Sequence, residues 1–128
     1  MNEEGCRIDF NALSAAGFNM KAAEERFAGM GKLYEKCLLL YFHSDNITKL
    51  EELAAAGDWE NVSHCAHTLK GSAGNLALDP LYDVYVKICI SADKRDTAGI
   101  PELLARARSY ENAFRKAAGC SDIVDDAR

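Results

Sequence analysis

The stretch His64–Leu78, HCAHTLKGSAGNLAL, places two histidines, a lysine and two glycines inside a segment whose apolar residues recur at helical spacing. An imidazole with an ordinary pKa near ~6.5 is largely neutral at pH 7 and therefore nucleophilic. A lysine three residues after a histidine stands one helical turn away, where its mobile ammonium can neutralise an anion held on the ring. Glycine inside a helix costs about 1 kcal/mol relative to alanine. Gly71 and Gly74, close behind His67 and Lys70, therefore require a reason.

Residues placed at ~100° intervals around an ideal helix supply one. With His67 at the origin, Val62, Cys65, Leu69 and Leu76 fall in a sector opposite it, flanked by Ala66 and Ala73. That sector is the predicted core face, and His67 points away from it. Ser63, Lys70, Gly71 and Gly74 lie within about 60° of His67, and Glu60 and His64 share this side. Gly71 follows at about 6 Å and Gly74 at about 10 Å along the axis. The glycines thus strip side chains from the surface beside an exposed imidazole, which would let another protein approach it closely.

Helices must present this face. Leu, Ala, Glu and Lys are plentiful and there is no Asn-Gly or Asp-Gly hairpin signal. Short helices are predicted over 9–16, ended by Gly17, and over 19–29, with Asn19 as cap and Gly29 as stop. Leu33, Cys37, Leu40, Ser44 and Ile47 step by four and three, which predicts one helix from 31 to about 56 that HSDN (43–46) could bend or break. Gly57 stops it, and Asp58 caps a helix carrying the opening stretch to about Leu78. Asp79-Pro80 reads as cap and first residue of the next, with Leu81, Val84, Tyr85, Ile88 and Ala92 as its stripe. Val84, Val86, Ile88 and Ile90 also alternate like a strand, but the length and the start signal favour helix. DKRDTAG is a loop, and Ile100, Leu103, Leu104, Ala107, Tyr110 and Phe114 mark a last helix to about Ala118. The expected fold is all-α: a single domain over 1–128, with an antiparallel up-down four-helix bundle core (31–118), an N-terminal helical extension (1–30) and a loose tail (119–128).

Bulk properties narrow the function. The 128 residues carry a net charge of −5 and no basic stripe, which argues against nucleic-acid binding. No apolar run approaches the ~18 residues of a membrane span. The opening MNEEGCRIDF lacks the basic and apolar regions of a secretory leader. Five cysteines with no regular spacing and no C-x-x-C read as reduced thiols of a cytoplasmic protein; a monomer is expected, and the initiating methionine and short polar ends lean towards a free-standing protein over a piece of a larger kinase. Cys65 and Cys89 fall on apolar stripes as small core residues, and Trp59, Tyr34, Tyr41 and Phe42 read as packing and rim residues. No phosphate-cradling G-x-x-x-x-G-K-[ST] or G-x-G-x-x-G is present, so no kinase activity towards ATP is expected.

AHTLKGSAGNL (Ala66 to Leu76) closely resembles the signature of histidine-containing phosphotransfer (HPt) domains of bacterial phosphorelays. The wider segment from about Leu33 to Phe114 is similar too, including LEELAAAGDWENV before the motif and IPELL after it. The resemblance implies a four-helix bundle that accepts a phosphoryl group on His67 from a receiver-domain aspartate and passes it to another receiver. Lys70 and Gly71 would sit beside the phosphoryl group, and Gly74, with Ser63 and His64, would belong to the receiver docking surface. Partners would be response-regulator receivers and a hybrid sensor histidine kinase. No cofactor is implied on this chain, Mg²⁺ being expected on the receiver. The chain departs from the family at Ala77, where many members have glycine, and over YDVYVKICISADK (82–94), where the family usually shows a more acidic, leucine-rich helix.

Two rival readings have physical content. Glu60, His64 and His67 line up as potential ligands of a metal-binding bundle, although they face away from the core and His43 is the only other histidine. An adaptor that binds receivers without being phosphorylated is the other.

Overall fold

The computed structural model describes residues 14–26 and 31–119. Of the first predicted helix only 14–16 fall within this range, and they are helical; the rest of it, Gly29 and the tail from 120 lie outside the described residues. Asn19 caps α1 (Met20–Arg26), its Oδ1 accepting from the Ala22 amide at 3.0 Å.

The sequence between 31 and 56 forms two helices, α2 (Gly31–His43) and α3 (Asn46–Ala55). Asp45 is the reason for the break. Its carboxylate accepts from the Thr48 amide at 3.3 Å and the Thr48 hydroxyl at 2.6 Å, starting a new helix. Asn46 Nδ2 then donates to the Tyr41 carbonyl at 2.9 Å, satisfying a group that the end of α2 leaves open. Hydrogen bonds from Thr48, with Arg108 nearby, outweigh burial and hold the Asp45 carboxyl below its ordinary range.

Asp58 caps α4 (Trp59–Asn75). Next come α5 (Asp79–Asp93) and α6 (Ile100–Ala117), each with proline in its first turn. Residues 84–90 are helix, so the alternation of β-branched residues did not decide. Asp79 is the first residue of α5 and not its cap; its carboxylate accepts from Asn19 Nδ2 at 2.9 Å. Apart from one isolated bridge between Phe18 and Leu78, no strand pairing occurs among the described residues.

The helices α3, α4, α5 and α6 pack in a closed circuit, α3 on α4, α4 on α5, α5 on α6 and α6 back on α3. Side-chain register shows opposed directions for α4 and α5. Ser63 of α4 meets Asp93 of α5 while Gly74 meets Tyr82. Arg108 of α6 reaches Thr48 and Glu51 of α3 while Arg115 reaches the Phe42 carbonyl at the end of α2.

The buried face of α2 differs from the predicted stripe. Leu33 and Leu40 are exposed, whereas Tyr34, Leu38, Tyr41 and Phe42 face inward. Each aromatic ring removes ~150–250 Å² from water, so the face carrying three of them wins. Phe42 stacks on Phe114 at 6.4 Å between centroids.

Beside this stack sits an unpredicted polar cluster. Tyr41 and Tyr85 hydroxyls both donate to Glu111 Oε2 at 2.6 Å, and Arg115 Nη2 lies 3.8 Å from Glu111 Oε1. Glu111 and Arg115 are 0% and 2% exposed, so this is a core ion pair linking three helices.

The α4–α5 turn is tightly specified. The Leu78 amide donates to the Ala73 carbonyl and the Ala77 amide to the Gly74 carbonyl, a pattern that needs a left-handed residue at 77. Ala77 adopts φ 62°, which explains why glycine would suit this position. The chain before α1 closes over the turn. The Asn19 amide donates to the Ala77 carbonyl at 2.9 Å, and the Tyr34 hydroxyl to the Leu76 carbonyl at 2.8 Å. Gly17, at φ 119°, packs so close to Pro80 that a Cβ there would lie 2.4 Å from the proline ring.

Candidate functional site

The helix bearing the histidine motif is anchored along one side only. Val62, Ala66, Leu69 and Ala73 of α4 are buried, as their azimuth predicts. His67 is exposed on the opposite side, and among the described residues no hydrogen bond or ion pair engages its ring. An imidazole so placed can meet an electrophile brought by another molecule, and it has no internal partner to displace first.

The neighbours of His67 divide between two flanks. On the α5 flank, the half-buried Ser63 donates to Asp93 Oδ1, and the Cys89 thiol donates to the Ser63 carbonyl at 3.7 Å. Lys70 is half-buried on this same flank. Burial pushes the Cys89 thiol up, and the Lys70 charge acts in the opposite direction. On the α3 flank, the exposed His64 borders an open groove of about 470 Å³ with Lys49, Leu53, Asn61 and Thr68.

The two glycines have different surroundings. A Cβ at Gly71 would meet nothing within 4 Å, so that position is bare surface. Gly74 does not leave the surface open. A Cβ there would lie 3.1 Å from Tyr82 Cδ1 and 3.4 Å from Cε1, because the ring from α5 rests on it. The expectation for Gly74 is thus corrected: the missing side chain admits Tyr82. The sequence of α4 alone could not reveal this, since the occupant comes from the next helix.

Glu60, His64 and His67 do not form a ligand set. Among the described residues, no three His, Cys, Asp or Glu side chains group as a metal ion would require. Glu60 and His67 are two turns apart, about 10 Å along the axis, too far to share one ion. No described helix is long and apolar enough to cross a membrane.

The described helices thus present the His67 ring on an outer face, with Lys70 one helical turn further along α4. The family model of the Hpt domain matches residues 38–110, a span from within α2 to within α6 that contains His67, Lys70 and Gly71, and the chain belongs to that family. No curated protein and no solved structure matches it. Hpt domains are phosphocarrier modules of two-component phosphorelays, exchanging phosphoryl groups with receiver domains and histidine kinases.

Proposed function

We propose that His67 is the phosphoacceptor, taking a phosphoryl group from the aspartyl phosphate of one receiver domain and delivering it to the aspartate of another. The observation that carries this reading is the exposed, unengaged ring of His67 opposite the buried stripe of α4. The neutral imidazole nitrogen attacks phosphorus in line, an N–P bond forms, the P–O bond to the aspartate breaks, and the carboxylate leaves. The imidazole proton passes to solvent. Delivery is the reverse step with a second carboxylate as nucleophile. The receiver contributes the Mg²⁺ and this chain the oriented ring and one cation. A hybrid sensor kinase and a response regulator are the partners that fit, and the protein acts as a cytoplasmic monomer. Incubation with a phosphorylated receiver, followed by mass analysis under conditions that spare acid-labile phosphoramidate, tests the reading. A parent protein that gains no phosphate from any receiver refutes it.

Lys70 neutralises the phosphoryl group on the imidazole. Lys70→Ala is expected to slow transfer about tenfold or more in both directions, consistent with loss of one charge-assisted contact. Single-turnover kinetics check this, and parent-like rates would reduce Lys70 to solvated surface.

Gly71 is kept bare so that the receiver backbone can approach. A Cβ there has open space, so Gly71→Ala is expected to stabilise the helix by about 0.5–1 kcal/mol. The same change is expected to raise the KM for a phospho-receiver. Thermal melts and transfer kinetics on one sample check the opposed signs; a stabler variant with unaltered KM would remove Gly71 from the docking face.

A further inference from the structure

Among the described residues of the two helices flanking α4, the exposed large apolar side chains are on α5 alone, and on the α3 flank the half-buried Leu53 lines the groove beside His64. Tyr82 and Ile90 of α5 are 40% and 49% exposed, with half-buried Val86 between them. The exposed positions of α3 across the other flank are Lys49, Glu52 and Ala55. Met20, Leu33 and Leu40, the other exposed large apolar residues among those described, belong to α1 and α2, whereas the main packing partners of α4 are α3 and α5.

Register fixes where the α5 residues stand. Tyr82 touches Gly74, seven residues beyond His67, and Cys89 and Asp93 meet Ser63, four residues before it. Val86 therefore stands level with the His67–Lys70 turn. Tyr82 lies about 10 Å along the axis from the ring, and Ile90, eight residues and about 12 Å further along α5, stands close to the level of the ring itself. A standard interface covers about 800 Å² per partner, a patch of roughly 16 Å radius. An interface of that size centred on His67 is wide enough along the axis to include all three residues.

Tyrosine is among the side chains most enriched at energetic centres of interfaces, and Tyr82 stands 40% exposed on this flank.

We propose that Tyr82, Val86 and Ile90 form the apolar wing of the docking face, occupied by the receiver domain that exchanges phosphoryl groups with His67, and that this wing sets which receiver is used. The inference rests on His67 being the phosphoacceptor. It adds that recognition is lopsided, resting on α5 and not on α3.

The test separates docking from chemistry by using two donors. Phosphoramidate, a small donor, reaches the ring without docking; the receiver domains encoded in the same genome, each loaded with acetyl phosphate, must dock. Tyr82→Ala and Ile90→Ser are each expected to raise the KM for the receivers that label the parent by about tenfold or more. Labelling by phosphoramidate should stay within about twofold of the parent. Ile90→Ser does not touch Gly74, so it keeps the test valid if Tyr82→Ala disturbs the α4–α5 packing. Lys49→Ala and Glu52→Ala should leave the receiver KM within about twofold. Parent-like KM values in both α5 variants, equal losses from both donors, or losses in the α3 variants as large as those in α5 would each overturn the lopsided face. Labelling that persists in His67→Gln, or a parent labelled by no receiver, overturns the phosphoacceptor assignment beneath it.

Discussion

His67→Gln is expected to take up no phosphate from any phosphorylated receiver, while its helicity and melting temperature stay close to those of the parent. Glutamine is a good helix former and the exposed His67 ring makes no hydrogen bond or ion pair among the described residues, so stability should move by less than ~0.5 kcal/mol. Its amide nitrogen is not nucleophilic, so the rate falls to background rather than by a modest factor. His64, also exposed and one turn away, is the internal control, and His64→Gln should be labelled like the parent. Mass analysis of both variants after reaction with one phospho-receiver checks the pair. Label that survives in His67→Gln but disappears in His64→Gln would move the site by a turn.

The largest expected loss of stability comes from Glu111→Ala. Removing the carboxylate strands the Arg115 guanidinium, 2% exposed, and leaves the hydroxyls of Tyr41 and Tyr85 without their acceptor. Breaking a buried ion pair by deleting one partner typically costs ~3–5 kcal/mol, against ~5–15 kcal/mol for a whole domain. A fall in melting temperature of roughly 10–25 °C follows for a chain of this size. Glu111→Gln, which keeps an acceptor oxygen for the tyrosines, should lose less. Replacing both charged residues, as Glu111→Leu with Arg115→Met, should recover much of the loss. Denaturant melts of the three variants check this order, and a loss under ~1 kcal/mol in Glu111→Ala would show the cluster to be energetically idle.

The cluster also has a pH signature. Burial pushes the Glu111 carboxyl up, more than the tyrosine hydrogen bonds and Arg115 pull it down. Its folded value therefore exceeds the unfolded ~4.3. The group's contribution to stability is fully present below the unfolded value and is lost as pH rises through the folded one. Glu111→Gln should remove that part of the slope.

The histidine face was legible because it depends on one helix. The angular positions of Val62, Ala66, Leu69 and Ala73 fix the buried side, and His67 and Gly71 then have to point outward. Features that join two helices were harder to read. Nothing in α4 reports that Tyr82 of α5 settles on Gly74. The break at Ser44–Asp45 was signalled by HSDN as one of two outcomes, and the Asp45 cap decided between them. On α2, the leucine stripe and the aromatic stripe differ by one position, and only the packing against Phe114 selects the aromatic one. Glu111 leaves a trace in the sequence. Ile100, Leu104, Ala107 and Phe114 step by four, three and seven, and the position that divides the seven into four and three is Glu111. A glutamate inside an apolar stripe ordinarily suggests solvated surface, and its buried partners lie on α2, α5 and one turn further along α6.

The N-terminal cover over the α4–α5 turn makes the smallest self-sufficient piece of this protein longer than the family signature. The family match begins at residue 38, yet Phe18, Asn19 and Tyr34 seal the turn, and the Asn19 amide and Tyr34 hydroxyl occupy carbonyls of Ala77 and Leu76. At the other end, Phe114 and Arg115 follow the matched span while belonging to the core. A fragment trimmed to the signature would uncover Leu78 and leave those carbonyls to water, fraying the far end of the very helix that displays the imidazole.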